Sequence, residues 1–120
     1  NHPLSEAENV LVENGRILQI RKNISKSLEN QQIGEFLGIM MLSSEHVKIL
    51  LERYSYLKKN HMGAFHNSSS LSNAYITDML QEIINCGINV NPVFTEGKWC
   101  EIDTPEDLRN AEKSINKFQS

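Results

Sequence analysis

The chain has 120 residues, with 15 acidic and 12 basic side chains and a net charge of −3, which is enough for one domain and too few for two. At 39% hydrophobic and 22% charged it has the make-up of an ordinary globular protein, and its lack of a basic excess argues against a strong nucleic-acid binder. No apolar run approaches the roughly 20 residues of a membrane span, and Asn1-His-Pro-Leu-Ser-Glu6 lacks both regions of a signal peptide, so the expected compartment is the cytoplasm.

Val10-Leu-Val12 and Ile17-Leu-Gln-Ile20 flank Glu13-Asn-Gly15. An Asn-Gly between two apolar runs predicts an antiparallel hairpin over 9–20. Residues 21–32 are polar and read as a connector. Residues 33–42 form the most apolar run; Gly34 and Gly38 argue against a helix, and the expectation is a central strand buried on both faces. Ser43 or Ser44 can cap a helix to about Asn60, with Val47, Leu50, Leu51, Tyr54 and Leu57 as its apolar row and Lys58 and Lys59 at its favourable end.

Residues 61–72 are small and polar, a loop of a length that is often functional or disordered. A second helix is predicted over about 73–86, ended by Gly87. Ile88, Val90 and Val93-Phe94 then alternate with Asn89 and Asn91 as a strand would. Glu96-Gly97 turns the chain, and Lys98–Ile102 reads as a further short strand. Thr104-Pro-Glu-Asp107 opens a last helix, with Thr as cap, Pro in the first turn and two acids at the positive end of the dipole. Leu108, Ala111, Ile115 and Phe118 are its expected buried face. The order is mixed α/β without the repeated strand–helix alternation of a complete doubly wound domain.

Cys86 and Cys100 form no CxxC pair and are expected to be reduced, partly buried thiols. Asn23 and Asn67 match the glycosylation sequon, which without a secretion signal we treat as chance. His46, His61 and His66 have no metal-binding spacing. His61 and His66 could approach a phosphate from a lid, but a plain exposed loop is the better expectation. Trp99 reads as core, and Lys22 and Lys26 as solvated surface.

The most informative stretch is Gly97-Lys-Trp-Cys-Glu-Ile-Asp-Thr-Pro-Glu-Asp-Leu-Arg109. It places Asp103 between a strand end and a capped helix, where carboxylates of α/β proteins face ligands. Asp103 could hold a hard cation such as Mg²⁺, with Glu101 on the same strand face; the alternative is that Asp103 fixes the turn. Glu35, inside an apolar strand, requires a partner, because an unpaired buried carboxylate is costly.

Trp99-x-Glu-Ile-Asp103-Thr-Pro-Glu-Asp-Leu108 resembles the C-terminal signature of nucleotidyltransferases that activate small phosphorylated or phosphonate compounds. The nearest likeness is to cytidylyltransferases acting on phosphocholine or 2-aminoethylphosphonate, and to the nucleotidyltransferase domain attached to some phosphoenolpyruvate phosphomutases. Asn14-Gly-Arg-Ile-Leu-Gln-Ile20 resembles the family's hairpin. Gly34-Glu-Phe-Leu-Gly-Ile39 resembles its central strand, and Ala74-Tyr-Ile-Thr-Asp-Met-Leu80 its Tyr-x-x-Asp helix. The matched order covers roughly residues 9–113.

The resemblance implies the C-terminal half of a Rossmann-like nucleotidyltransferase fold, with a mixed sheet and about three helices in residues 1–120. It implies transfer of a nucleotidyl group, with CTP as the expected donor, to a phosphate or phosphonate acceptor with release of pyrophosphate. Mg²⁺ is then held by two Asp carboxylates, of which Asp103 is the second, making it the catalytic metal ligand. Glu35 and Asp78 match acidic positions lining the acceptor site, Glu101 is a further candidate substrate contact, and a plain solvated helix residue is the alternative for Asp78. A sugar phosphate, phosphocholine and an aminophosphonate are all compatible acceptors.

The family's Gly-rich GxGxR loop and the strand bearing its first metal-binding Asp have no counterpart here. The chain is therefore expected to be the back part of a longer enzyme, inactive alone. The other expectation is a non-catalytic remnant whose exposed sheet edge and apolar face pair with another copy as a homo-oligomer.

Overall fold

The computed structural model describes residues 8–96 and 104–119, with 114–119 by backbone alone. Strands β1 (Glu8–Glu13), β2 (Arg16–Lys22) and β3 (Gln31–Glu35) form one antiparallel sheet in the order β2-β1-β3. Helices α1 (Ser44–Asn60), α2 (Ile76–Asn85) and α3 (Pro105–Gln119) complete a mixed α/β fold, with a short 3₁₀ turn at Leu71–Asn73. Among the described residues no helix is long and apolar enough to cross a membrane.

The β1–β2 hairpin turns at Asn14 (φ 52°) and Gly15 (φ 75°), the left-handed pair that matches the twist of two joined strands. A bulge leaves Leu18 between the pairs Leu11↔Gln19 and Val12↔Ile17. It keeps Ile17 and Ile20 on one face with Val10 and Val12, where Leu80 and Ile83 of α2 cover them. Phe36, Leu50, Ile84 and Ile88 close the rim of this core. A second cluster of Leu57, Phe65 and Met79 joins α1, the 61–75 loop and α2. Full burial of each such side chain contributes about 1.5–3 kcal/mol.

Helix ends follow their local chemistry. Ser43 Oγ accepts the His46 N–H at 3.2 Å and starts α1. Gly87 (φ 96°) ends α2: its N–H bonds the Ile84 carbonyl and that of Ile88 reaches back to Ile83, the paired pattern of a Schellman cap. Thr104 Oγ1 accepts the Asp107 N–H at 3.0 Å while Asp107 Oδ2 accepts the Thr104 N–H at 3.1 Å, a reciprocal capping box for α3.

Several expectations are corrected. The strand expected over 33–42 is Gln31–Glu35, at the edge of the sheet among the described residues; Ile39 and Met41 beyond it are 83% and 96% exposed. Gly38 (φ 84°) bends the chain out of the sheet there. The connector expected over 21–32 loses its ends to β2 and β3. Residues 88–94 are not a strand: Val90 accepts one bond from the Ile17 N–H at 2.8 Å, and Val93 and Phe94 lie in solvent. Of the apolar row of α1 only Leu57 is buried, and Leu51 is 56% exposed. The short strand expected over 98–102 lies outside the described residues, as do the Ile115 and Phe118 side chains; Ala111 is buried and Leu108 exposed.

Candidate functional site

Helix α2 runs back along β2, with Gln81 anchoring it: Gln81 Oε1 accepts the Ile20 N–H at 2.8 Å and Nε2 donates to the Leu18 carbonyl at 3.2 Å. This brings the start of α2 to the end of the sheet where β1 begins and β2 finishes. Asp78 and Glu82, one turn apart, lie on one face of the helix and gather the 61–75 loop onto it.

Asp78 is 3% exposed. Its Oδ1 accepts the Asn67 N–H at 3.2 Å, and its Oδ2 accepts the Ser68 hydroxyl at 2.7 Å and the Tyr75 N–H at 2.9 Å. The residue is thus not a solvated helix position but the fastening of the loop. Phe65 and Ser68 exchange both backbone bonds across a tight turn. His66 sits in that turn at φ 49°, an uncommon conformation for a non-glycine residue.

Glu82 holds the same loop from below. Arg53 of α1 places Nη2 at 2.7 Å and Nε at 2.8 Å from its Oε2, and His66 Nε2 lies 2.9 Å from Oε1. Burial opposes the charge on Glu82, but the hydrogen bonds and charges of Arg53 and His66 outweigh it and hold the carboxyl below its ordinary value. The Phe65 ring is edge-on to both His66, at 4.6 Å between centroids, and His61, at 5.3 Å.

Glu8, half-buried at the start of β1, is the third acid at this end. Burial raises its carboxyl, Lys22 works against that rise, Asp78 adds to it, and a hydrogen bond with Thr77 again opposes it; the net direction is up. The Lys22 ammonium lies 6.0 Å from the centre of the exposed Tyr75 ring. Glu8, Lys22, Tyr75, Thr77 and Asp78 therefore form one polar rim.

Glu35 does not share that face. It pairs with Asn9, whereas Val10 and Val12 face α2, so the alternation of the strands puts Glu35 on the opposite side of the sheet. It is exposed rather than enclosed in an apolar strand. Asp103, Glu101, Trp99 and Cys100 lie outside the described residues. Cys86 is a free, exposed thiol, not a partly buried one. Glu8, Arg53, His66 and Glu82 carry no motif that announces them; the one signal was the i, i+4 spacing of Asp78 and Glu82.

Among the described residues no group of three or more His, Cys, Asp or Glu is placed to hold a metal ion. No protein-family model matches the chain. No curated protein and no solved structure matches it either.

Proposed function

We propose that the chain is the acceptor-side, C-terminal portion of a Mg²⁺-dependent, cytidylyltransferase-like nucleotidyltransferase with a Rossmann-like fold. The observation that carries this reading is the ordered run of four motifs between residues 9 and 113. Three of them coincide with element boundaries: the Asn14-Gly15 turn, the start of α2 at Tyr75-x-x-Asp78, and the start of α3 at Thr104-Pro105. In this reading an acceptor phosphate or phosphonate oxygen attacks the α-phosphorus of the nucleotide. The new P–O bond forms as the bond to the bridging oxygen breaks, and pyrophosphate leaves.

Mg²⁺ would supply charge neutralisation on the reacting phosphates, with Asp103 as one of the two carboxylates that would hold it. The described residues contain no such cluster, so the assignment of Asp103 rests on the motif. In this reading the polar rim of Glu8, Lys22 and Tyr75 would face the acceptor, with Lys22 lying over the Tyr75 ring. Asp78 would act through the Asn67–Ser70 loop it fastens, and Glu35 from the far face of the sheet.

In the intact enzyme Asp103→Ala is expected to abolish Mg²⁺-dependent pyrophosphate release, and near wild-type turnover would sink the assignment. A second reading, a non-catalytic oligomerising module, is favoured by the apolar side chains of Ile39, Met41, Val93 and Phe94 standing in solvent.

A further inference from the structure

Among the described residues all strands precede residue 36 and all α-helices follow residue 43, so one crossing, 37–42, joins the sheet to the helices. The last bond on the sheet side runs from the Phe36 N–H to the Glu8 carbonyl at 2.8 Å, and the first backbone bond on the helix side from the Val47 N–H to the Ser43 carbonyl at 2.9 Å. Between them residues 37–42 make no hydrogen bond to any described residue. Gly38 turns the crossing out of the sheet, and the side chains of Ile39, Met40 and Met41 stand in solvent. The other loops are held. Asn9 takes the Ile24 N–H and Gln31 the Leu28 N–H, while Asp78 and Glu82 fasten 61–75. Val93 and Phe94 are also exposed, but Pro92 beside them has no N–H to give a strand-like partner.

We propose that residues 38–42 are a site of limited proteolysis for an endopeptidase that takes a bulky apolar side chain after the scissile bond, and that the cut chain stays together as one two-fragment molecule. An extended peptide is recognised through free backbone groups and pockets for its side chains. A hydrogen-bonded segment must first open at a free-energy cost, and 37–42 has no such bonds to break. The bonds before Ile39, Met40, Met41 and Leu42 each present an apolar side chain. In the step a water oxygen bonds to the carbonyl carbon and the C–N bond breaks. The leaving amine takes one proton of that water, and the new carboxyl keeps its oxygen. The fragments then hold each other through contacts that the cut does not touch. Val10, Val12 and Ile20 remain under Leu80 and Ile83. Gln81 keeps its two bonds to β2, and Val90 keeps the Ile17 N–H.

Thermolysin, which cuts before bulky apolar residues, is the probe. Brief digestion of the full chain under native conditions should give, by mass spectrometry, two fragments that meet within 38–42. They should co-elute on a native gel-filtration column and separate in urea. Ile39→Asp, Met40→Asp and Met41→Asp combined in one chain should slow the cut roughly ten-fold, the lower end of what an apolar pocket discriminates; circular dichroism verifies the fold of this variant. A native chain that resists at these bonds while the urea-unfolded chain is cut there, or a first cut in 61–75 or at 93–94, would overturn the proposal. So would an unchanged rate in the folded variant, or fragments that part without denaturant. The digestion of the unaltered chain decides the matter even if the variant unfolds. None of these readouts involves nucleotidyl transfer, so their failure is separate from failure of the functional reading.

Discussion

At the scale of single residues, two carboxylates on α2 do different work. Asp78 is buried and organises backbone: without it the N–H groups of Asn67 and Tyr75 and the Ser68 hydroxyl lose their acceptor together. Asp78→Ala is therefore expected to cost roughly 3 kcal/mol, the range for removing a charged acceptor from buried donors, measured by urea denaturation. A cost below about 0.5 kcal/mol, the level of an ordinary surface substitution, would show that the loop holds itself. Glu82 instead links three segments through charge. Its carboxyl is held below the ordinary value of 4.5, so its contribution is complete above that pH and is lost as the pH falls through the depressed value. Glu8, raised above 4.5, works in the opposite sense: its contribution is present in acid and lost as the pH rises through the raised value. Glu82→Gln should cost about 1 kcal/mol at neutral pH and flatten the acid limb of a stability–pH curve. An unchanged acid limb would count against the Arg53–Glu82–His66 link.

At the scale of elements, the hairpin turn and the helix ends were the legible part of the sequence. Asn14-Gly15, Ser43, Gly87 and Thr104 each act within four residues of themselves, and each took the role its chemistry implies. Gly87 invites a direct check. At φ 96° a side chain is strained even where space is open, so Gly87→Ala should destabilise by about 1–2 kcal/mol, a fall in Tm of roughly 4–15 °C for a domain of this size. A Tm unchanged within error would mean that α2 ends by other means. Strands were less legible, because a strand needs a neighbour that local sequence does not specify. Residues 88–94 alternate correctly, yet the edge they would have joined is held by Gln81. The run 33–42 is apolar enough for a central position, yet no second layer among the described residues covers Ile39 to Met41.

At the scale of the whole molecule, the candidate site was only partly foreseeable. Asp78 could be marked from its motif, but its burial under Asn67 and Ser68 depends on a loop that folds back from ten residues away. Glu35 and Asp78 looked like companions in sequence, and the strand register separates them by the thickness of a sheet. Lys22 and Glu8 become neighbours of α2 only because the bulge at Leu18 preserves the facing of β2. The Gln81 side chain carries a last implication, for how the sheet can grow. Its amide stands against β2 as a peptide group of another strand would, using up the bonds by which a sheet could lengthen on that side. A further strand can therefore not enter this sheet beside β2.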